Sequence, residues 1–184
     1  MENVKKSSGN VAIKWSVIYL LTSVVITFLF QFLNLDQTSP IKYLGYIPFI
    51  AFLLLAQKEY RDQLGGYATY GEAFTAGLLY SVFSAILLAV FLYIYLGFIN
   101  PQLLEQTIAA QHDQLVQRGL SSEQIDSAEQ LTRKHGALFG AIGTLFVITI
   151  FGVIIALIGA AIFKRERTID DIERDSSSYT DPAV

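Results

Sequence analysis

The stretch "KEYRDQLGGYATYGEAF", Lys58 to Phe74, decides how this chain is read. It is charged, then glycine-paired, then tyrosine-rich, and it lies between two runs of almost pure hydrocarbon. Each residue type suits a turn at a membrane surface. Lys58 and Arg61 stand where a helix C-terminus meets anionic headgroups. Gly65 and Gly66 can reverse the chain. Thr69 and Glu72 have the T-x-x-E spacing of a capping box, which starts the next helix. Tyr60, Tyr67 and Tyr70 suit the interface. A second reading sets Glu72 with Arg61 or Lys58 in a polar pocket at the mouth of a helix bundle.

Outward from this stretch the chain is strongly apolar. Hydrophobic residues make up 53% of the 184 and charged residues 16%, where a soluble domain carries about 25% charge. Mean hydropathy is +0.45. The charges gather at the two ends and in short segments, as in a multispanning membrane protein. A net charge of −3 argues against nucleic acid as a partner, because phosphate binding needs a dense basic face. With no cysteine, disulfides, thiol catalysis and cysteine metal sites are excluded and the redox compartment is left open.

Four apolar segments follow, at about 13–35, 41–57, 72–98 and 136–163. The first is charge-free from Trp15 to Leu35, long enough to cross a core of about 30 Å. It is too long for a signal peptide, and "QFLNLDQTSP" contains no small-x-small cleavage site. The second is the weakest, with Gly45 and Pro48 inside it. Lys42 can snorkel, and Tyr43 and Tyr46 fit an aromatic belt. The third fades after Tyr93 and Tyr95. The fourth stops at "KRER", Lys164 to Arg167.

If all four segments span and the N-terminus is cytoplasmic, Lys5, Lys6, Lys14, Lys58, Arg61, Lys164, Arg165, Arg167 and Arg174 lie inside. Lys42, Arg118, Arg133 and Lys134 lie outside. That asymmetry is the direction the positive-inside rule requires, and a re-entrant second segment would put "KRER" outside against it. Both termini are therefore expected in the cytoplasm, with 167–184 a disordered tail.

Residues 100–135 are expected to form an external helical hairpin. Asn100 and Pro101 start its first helix, Gly119 ends it, and Ser121 with Gln124 forms a second capping box. Leu104, Ile108 and Leu115 share one face; Ile125, Ala128 and Leu131 share the other. His112, Asp113 and His135 match no metal-ligand spacing. The fold class is therefore all-α: four transmembrane helices with an extracytoplasmic hairpin between the third and fourth.

Inside the spans, Ser16, Ser23, Thr27, Gln31 and Asn34 form a polar stripe on the first helix, which in lipid must face helices or water. Gly77, Ser81, Ala85 and Ala89 repeat every fourth residue, as do Gly136 with Gly140, and Gly152 with Ala156 and Ala160. Such spacing lets helix backbones approach closely. No charge lies deep in a span, which weakens a coupled transporter. No hydrolase, P-loop or zinc-protease motif is present, and "GALFGAIG" enters an apolar span without a preceding strand.

The order of these features resembles the small four-helix bacterial membrane proteins catalogued as domain of unknown function 4199, common in one phylum of Gram-negative bacteria. The resemblance runs from about Lys14 to Glu166 and is most specific at "GGYATYGEAF" and "NPQLLEQ…GLSSEQI". It implies an inner-membrane protein with a periplasmic hairpin, and it carries no activity, cofactor or site residue with it. Three functions compete. The first is a non-enzymatic assembly or interaction module with a membrane or periplasmic protein partner, or a second copy of itself. The second is a small transporter or channel component using the helix-1 stripe and Glu72. The third is a membrane enzyme.

Overall fold

Helices form wherever the apolar runs lie, and in the computed structural model they extend past the runs at several ends. Residues 7–33 and 40–169 are described. Lys5, Lys6, Asn34, Asp36 and the tail from 170 onward lie outside them, as do the side chains of residues 40–42. Helix α1 is Ser8–Phe32, α2 is Tyr46–Gln63, α3 is Tyr70–Ile94, α4 is Pro101–Gln117 and α5 is Ser122–Phe163. A 3₁₀ segment, Pro40–Gly45, leads into α2, and a π turn, Tyr95–Ile99, follows α3. The described chain is all-α.

Side-chain contacts fix the helix directions. Ser16 of α1 meets Ser84 of α3, and Gln31 meets Tyr95 in the π turn that continues α3, so these two helices run parallel. Helix α2 opposes both: Trp15 bonds Glu59 while Tyr19 packs on Phe49, and Gln57 bonds Ala73 while Phe49 packs on Tyr80. Helix α5 runs with α2, through Phe49–Phe151 and Gln57–Ala156. The result is an up-down-up-down four-helix bundle in which the start of α1 and the end of α5 lie at the same end.

Helix α3 is the centre of the bundle and packs most extensively on α5. Its buried residues include Ala73, Gly77, Ser81, Ala85 and Ala89; those of α5 include Gly152, Ala156, Gly159 and Ala160. Small side chains every fourth residue put a smooth strip on each helix, and the two strips meet. Aromatic residues fill the wider gaps: Tyr19, Phe49 and Tyr80 form one layer, and Phe151 packs on Phe49 at 5.8 Å.

Three helical stretches are long and apolar enough to cross a membrane: Ser8–Phe32, Tyr70–Ile99 and Ser122–Phe163. Helix α2 falls short because its last turns carry Lys58, Glu59, Arg61 and Asp62.

Helix α5 runs unbroken through Gly136 for 42 residues, about 63 Å at the standard rise. Helix α4 packs antiparallel along its first turns, with Glu105 near Arg133, Gln111 near Thr132 and His112 on Glu129. Ile108 and Ile125 are buried there, whereas Leu131, expected on the same face, is 53% exposed. Asn100 does not cap α4 with its side chain; its Nδ2 donates to the Tyr95 hydroxyl at 3.3 Å. Gly119 ends α4 at φ +76°, and Ser121 and Gln124 form both bonds of the second capping box.

Candidate functional site

Two of the three residues of the expected polar pocket, Glu72 and Arg61, are used elsewhere. Glu72 accepts from the Thr69 backbone N–H at 2.8 Å and the Thr69 hydroxyl at 2.9 Å, and the capping box of α3 is complete. Arg61 donates to Asp62, with Nη2 to Oδ1 at 2.8 Å, and its guanidinium lies 5.5 Å above the Phe163 ring. Lys58 is exposed beside a shallow groove with Trp15 and Glu59. Among the described residues no ion pair joins Glu72 to Arg61 or Lys58, so Glu72 has the geometry of a cap.

The carboxylate that does join two helices is Glu59. Its Oε2 pairs with the Lys14 ammonium and accepts from Trp15 Nε1 at 2.8 Å, and its Oε1 accepts from Gln63 at 3.0 Å. Partial burial pushes this carboxyl up, but the Lys14, Trp15 and Gln63 donors together hold it below the usual carboxylate value. It is a fixed anion that clamps α1 to α2.

The polar stripe of α1 divides between roles. Ser16 is buried; its hydroxyl donates to the Tyr80 carbonyl at 3.1 Å and accepts from Ser84 at 3.1 Å. The Thr27 hydroxyl returns to the carbonyl of Ser23 at 2.8 Å. Gln31 accepts from the Tyr95 hydroxyl at 3.1 Å. Ser23 and Thr27 border an open space, and Thr27 lines a cavity of about 480 Å³ with Tyr19, Tyr46, Tyr95 and Thr144. The cavity has a simple origin: α2 begins only at Tyr46, and α1 has no fully buried residue after Tyr19. Fewer packed side chains fill the bundle at that level.

The feature that sequence reasoning missed is Gln57, which looked like the last residue of the second span. It is 0% exposed. Its Nε2 donates to the carbonyls of Ala73 on α3 at 3.0 Å and Ala156 on α5 at 2.9 Å, so one amide joins three helices. Glycines make the space. A Cβ on Gly77 would lie 2.6 Å from Nε2, and one on Gly159 only 1.9 Å from Oε1. Oε1 has no hydrogen-bond donor, and it lies where a side chain at position 159 would begin. The available signal was the small-residue strips on α3 and α5, which mark where a polar side chain from a third helix can enter.

The comparisons with known proteins come down to one family model. The model described as "Protein of unknown function (DUF4199)" matches residues 14–165. The chain belongs to this family. The match covers the four bundle helices from Lys14 onward and the α4–α5 pair, and supports the family resemblance noted in the sequence. No curated protein matches, and no solved structure matches. Among the described residues no group of three histidine, aspartate or glutamate side chains could hold a metal ion.

Proposed function

We propose that this DUF4199 protein is a non-enzymatic interaction module of the bacterial inner membrane. Four helices cross the bilayer, both termini are cytoplasmic, and α4 with the first turns of α5 is presented to the periplasm for a protein partner. Helix direction supports four crossings. Parallel α1 and α3 are each long enough to span, so the chain must return across the membrane between them. Segment 40–63 makes that return: six 3₁₀ residues and the apolar part of α2 reach about 30 Å together. The charges of α2 then sit level with Lys14, at one face.

The observation that carries the interaction reading is α5. One unbroken helix links the most tightly packed part of the bundle to the exposed α4–α5 pair, so a load on that pair reaches the membrane core without a hinge. The buried hydroxyls of Ser16 and Ser84 and the Gln57 amide are committed to helix–helix bonds. These are groups used for assembly rather than for turnover. Photocrosslinkers at Val116 and Leu131, both exposed, are expected to capture one discrete protein in intact bacteria. Absence of any crosslinked partner, with solute flux in liposomes, would sink this reading.

The cavity of about 480 Å³ beside Thr27 favours the transporter reading as the alternative. In that case Gln31→Leu and Glu72→Gln would alter flux through the reconstituted protein. Unchanged flux in both removes it.

A further inference from the structure

The apolar surface of α5 ends at Phe163, and Arg165 and Arg167 beyond it lie against the α2–α3 turn. Arg165 pairs antiparallel with Ala68: Ala68 N–H donates to the Arg165 carbonyl at 2.9 Å and Arg165 N–H to the Ala68 carbonyl at 2.8 Å. Extended backbone sends alternate side chains to the same face. The guanidiniums of Arg165 and Arg167 accordingly lie over one ring, that of Tyr67, at 5.3 Å and 5.1 Å. The ring follows the Gly65–Gly66 turn, with φ near +88° and +87°, and a Cβ on Gly65 would lie 4.0 Å from Arg167 Nη2. Arg167 is therefore held beside this bridge.

Two guanidiniums on one ring repel each other. Among the described residues no carboxylate forms an ion pair with Arg165. The cluster stands at the end of a lipid-length apolar helix whose Ile158 and Ile162 are exposed just below it, the depth at which phosphates of a bilayer lie. Planar guanidiniums match a phosphate with paired N–H donors.

We propose that Arg165 and Arg167, set on Tyr67, seat the headgroup phosphate of an anionic phospholipid of the cytoplasmic leaflet. The choice of leaflet rests on the topology proposed above; the chemistry of the seat does not. A lipid bound there holds the end of α5 to the α2–α3 turn through the Ala68–Arg165 bridge.

The test uses the full chain in neutral detergent with equimolar phosphatidylglycerol and phosphatidylethanolamine, and quantifies the retained lipids by mass spectrometry. The natural protein is expected to enrich phosphatidylglycerol, less so as sodium chloride rises. R165Q/R167Q should lower that preference about 30-fold, at the usual worth of two cations near an anionic surface, whereas R165K/R167K should keep most of it. R133Q/K134Q, which changes net charge equally on the α4–α5 pair, should leave it intact. Equal retention of both lipids by the natural protein overturns the proposal. So does an unchanged preference in R165Q/R167Q, or a loss of it in R133Q/K134Q. Release of the lipid by millimolar inorganic phosphate would assign the seat to the free ion instead. Labelling of Glu166→Cys by an impermeant maleimide from outside intact bacteria would overturn the topology alone, because the detergent measurement does not depend on it.

Discussion

Gly159→Ala puts a methyl group where the structure has none to spare. The new Cβ would lie 1.9 Å from Gln57 Oε1 and 2.9 Å from both Gln57 Cδ and Leu54 Cδ2. No rotamer of an alanine relieves this, so the Gln57 amide or the α2–α5 spacing must move. Overpacking of this kind costs about 1–3 kcal/mol. Displacing the amide also breaks its bonds to Ala73 and Ala156, at about 0.6 kcal/mol each in a membrane protein. Alanine returns about 1 kcal/mol of helix propensity, leaving a net loss of about 1–3 kcal/mol. Gly143→Ala is the control, since nothing lies within 4 Å of its Cβ position; it should gain up to about 1 kcal/mol. The assay is unfolding in mixed micelles followed by Trp15, the chain's one tryptophan, which stacks on Phe52 at 5.6 Å. Q57A/G159A should be more stable than the sum of its single changes by about 1 kcal/mol or more, because truncating the Gln57 side chain vacates the contested space. If Gly159→Ala is as stable as Gly143→Ala, the close-packed amide niche is wrong.

Gln57→Met should stay within about 1.5 kcal/mol of the natural protein in the same assay, since it keeps the shape and removes a buried oxygen without a conventional donor; a loss of several kcal/mol would mean that the amide bonds themselves hold the bundle. The Glu59 carboxyl is depressed in the folded state, so its stabilisation is present above the unfolded carboxylate value of about 4.3 and is lost as pH falls through the lower folded value. Unfolding midpoints should drop across that window, and Glu59→Gln should flatten the drop; an unchanged slope refutes the clamp. Thr69→Ala should cost about 1 kcal/mol through the lost cap, detectable as faster hydrogen exchange in the first turn of α3 by mass spectrometry. Gly136→Ala meets the end of a flexible side chain, Leu104 Cδ1 at 2.8 Å, and Thr132 Cγ2 at 3.2 Å, and should lower stability by about 1 kcal/mol or less; a larger loss would show that these side chains cannot yield.

The bundle was legible because its signals are local and periodic. The T-x-x-E box at Thr69 and Glu72 and the S-x-x-Q box at Ser121 and Gln124 start helices where their spacing says they should. The fourfold strip from Gly77 to Ala89 became the α3 face against α5. The misread features depend on neighbours far away in sequence. Gln57 sat between "LLLA" and "KEY" like the edge of a span, and only the strips of α3 and α5 make it interior. Glu72 drew attention by its spacing, whereas Glu59 joins helices through Lys14 and Trp15, 45 and 44 residues away. Leu131 followed the helical period but is exposed, although α4 packs beside Thr132 and Arg133.

Single-cysteine labelling of α2 tests the four-crossing bundle most directly, because the chain has no cysteine of its own. Tyr43→Cys and Asp62→Cys stand at the two ends of the segment that hydropathy alone leaves out of the membrane, and Gln114→Cys marks the α4–α5 pair. An impermeant maleimide added to intact bacteria should label the Tyr43→Cys and Gln114→Cys proteins, and should label the Asp62→Cys protein only after the membrane is opened. Labelling of Tyr43→Cys and Asp62→Cys from the same side would mean that α2 does not cross, and would contradict the account.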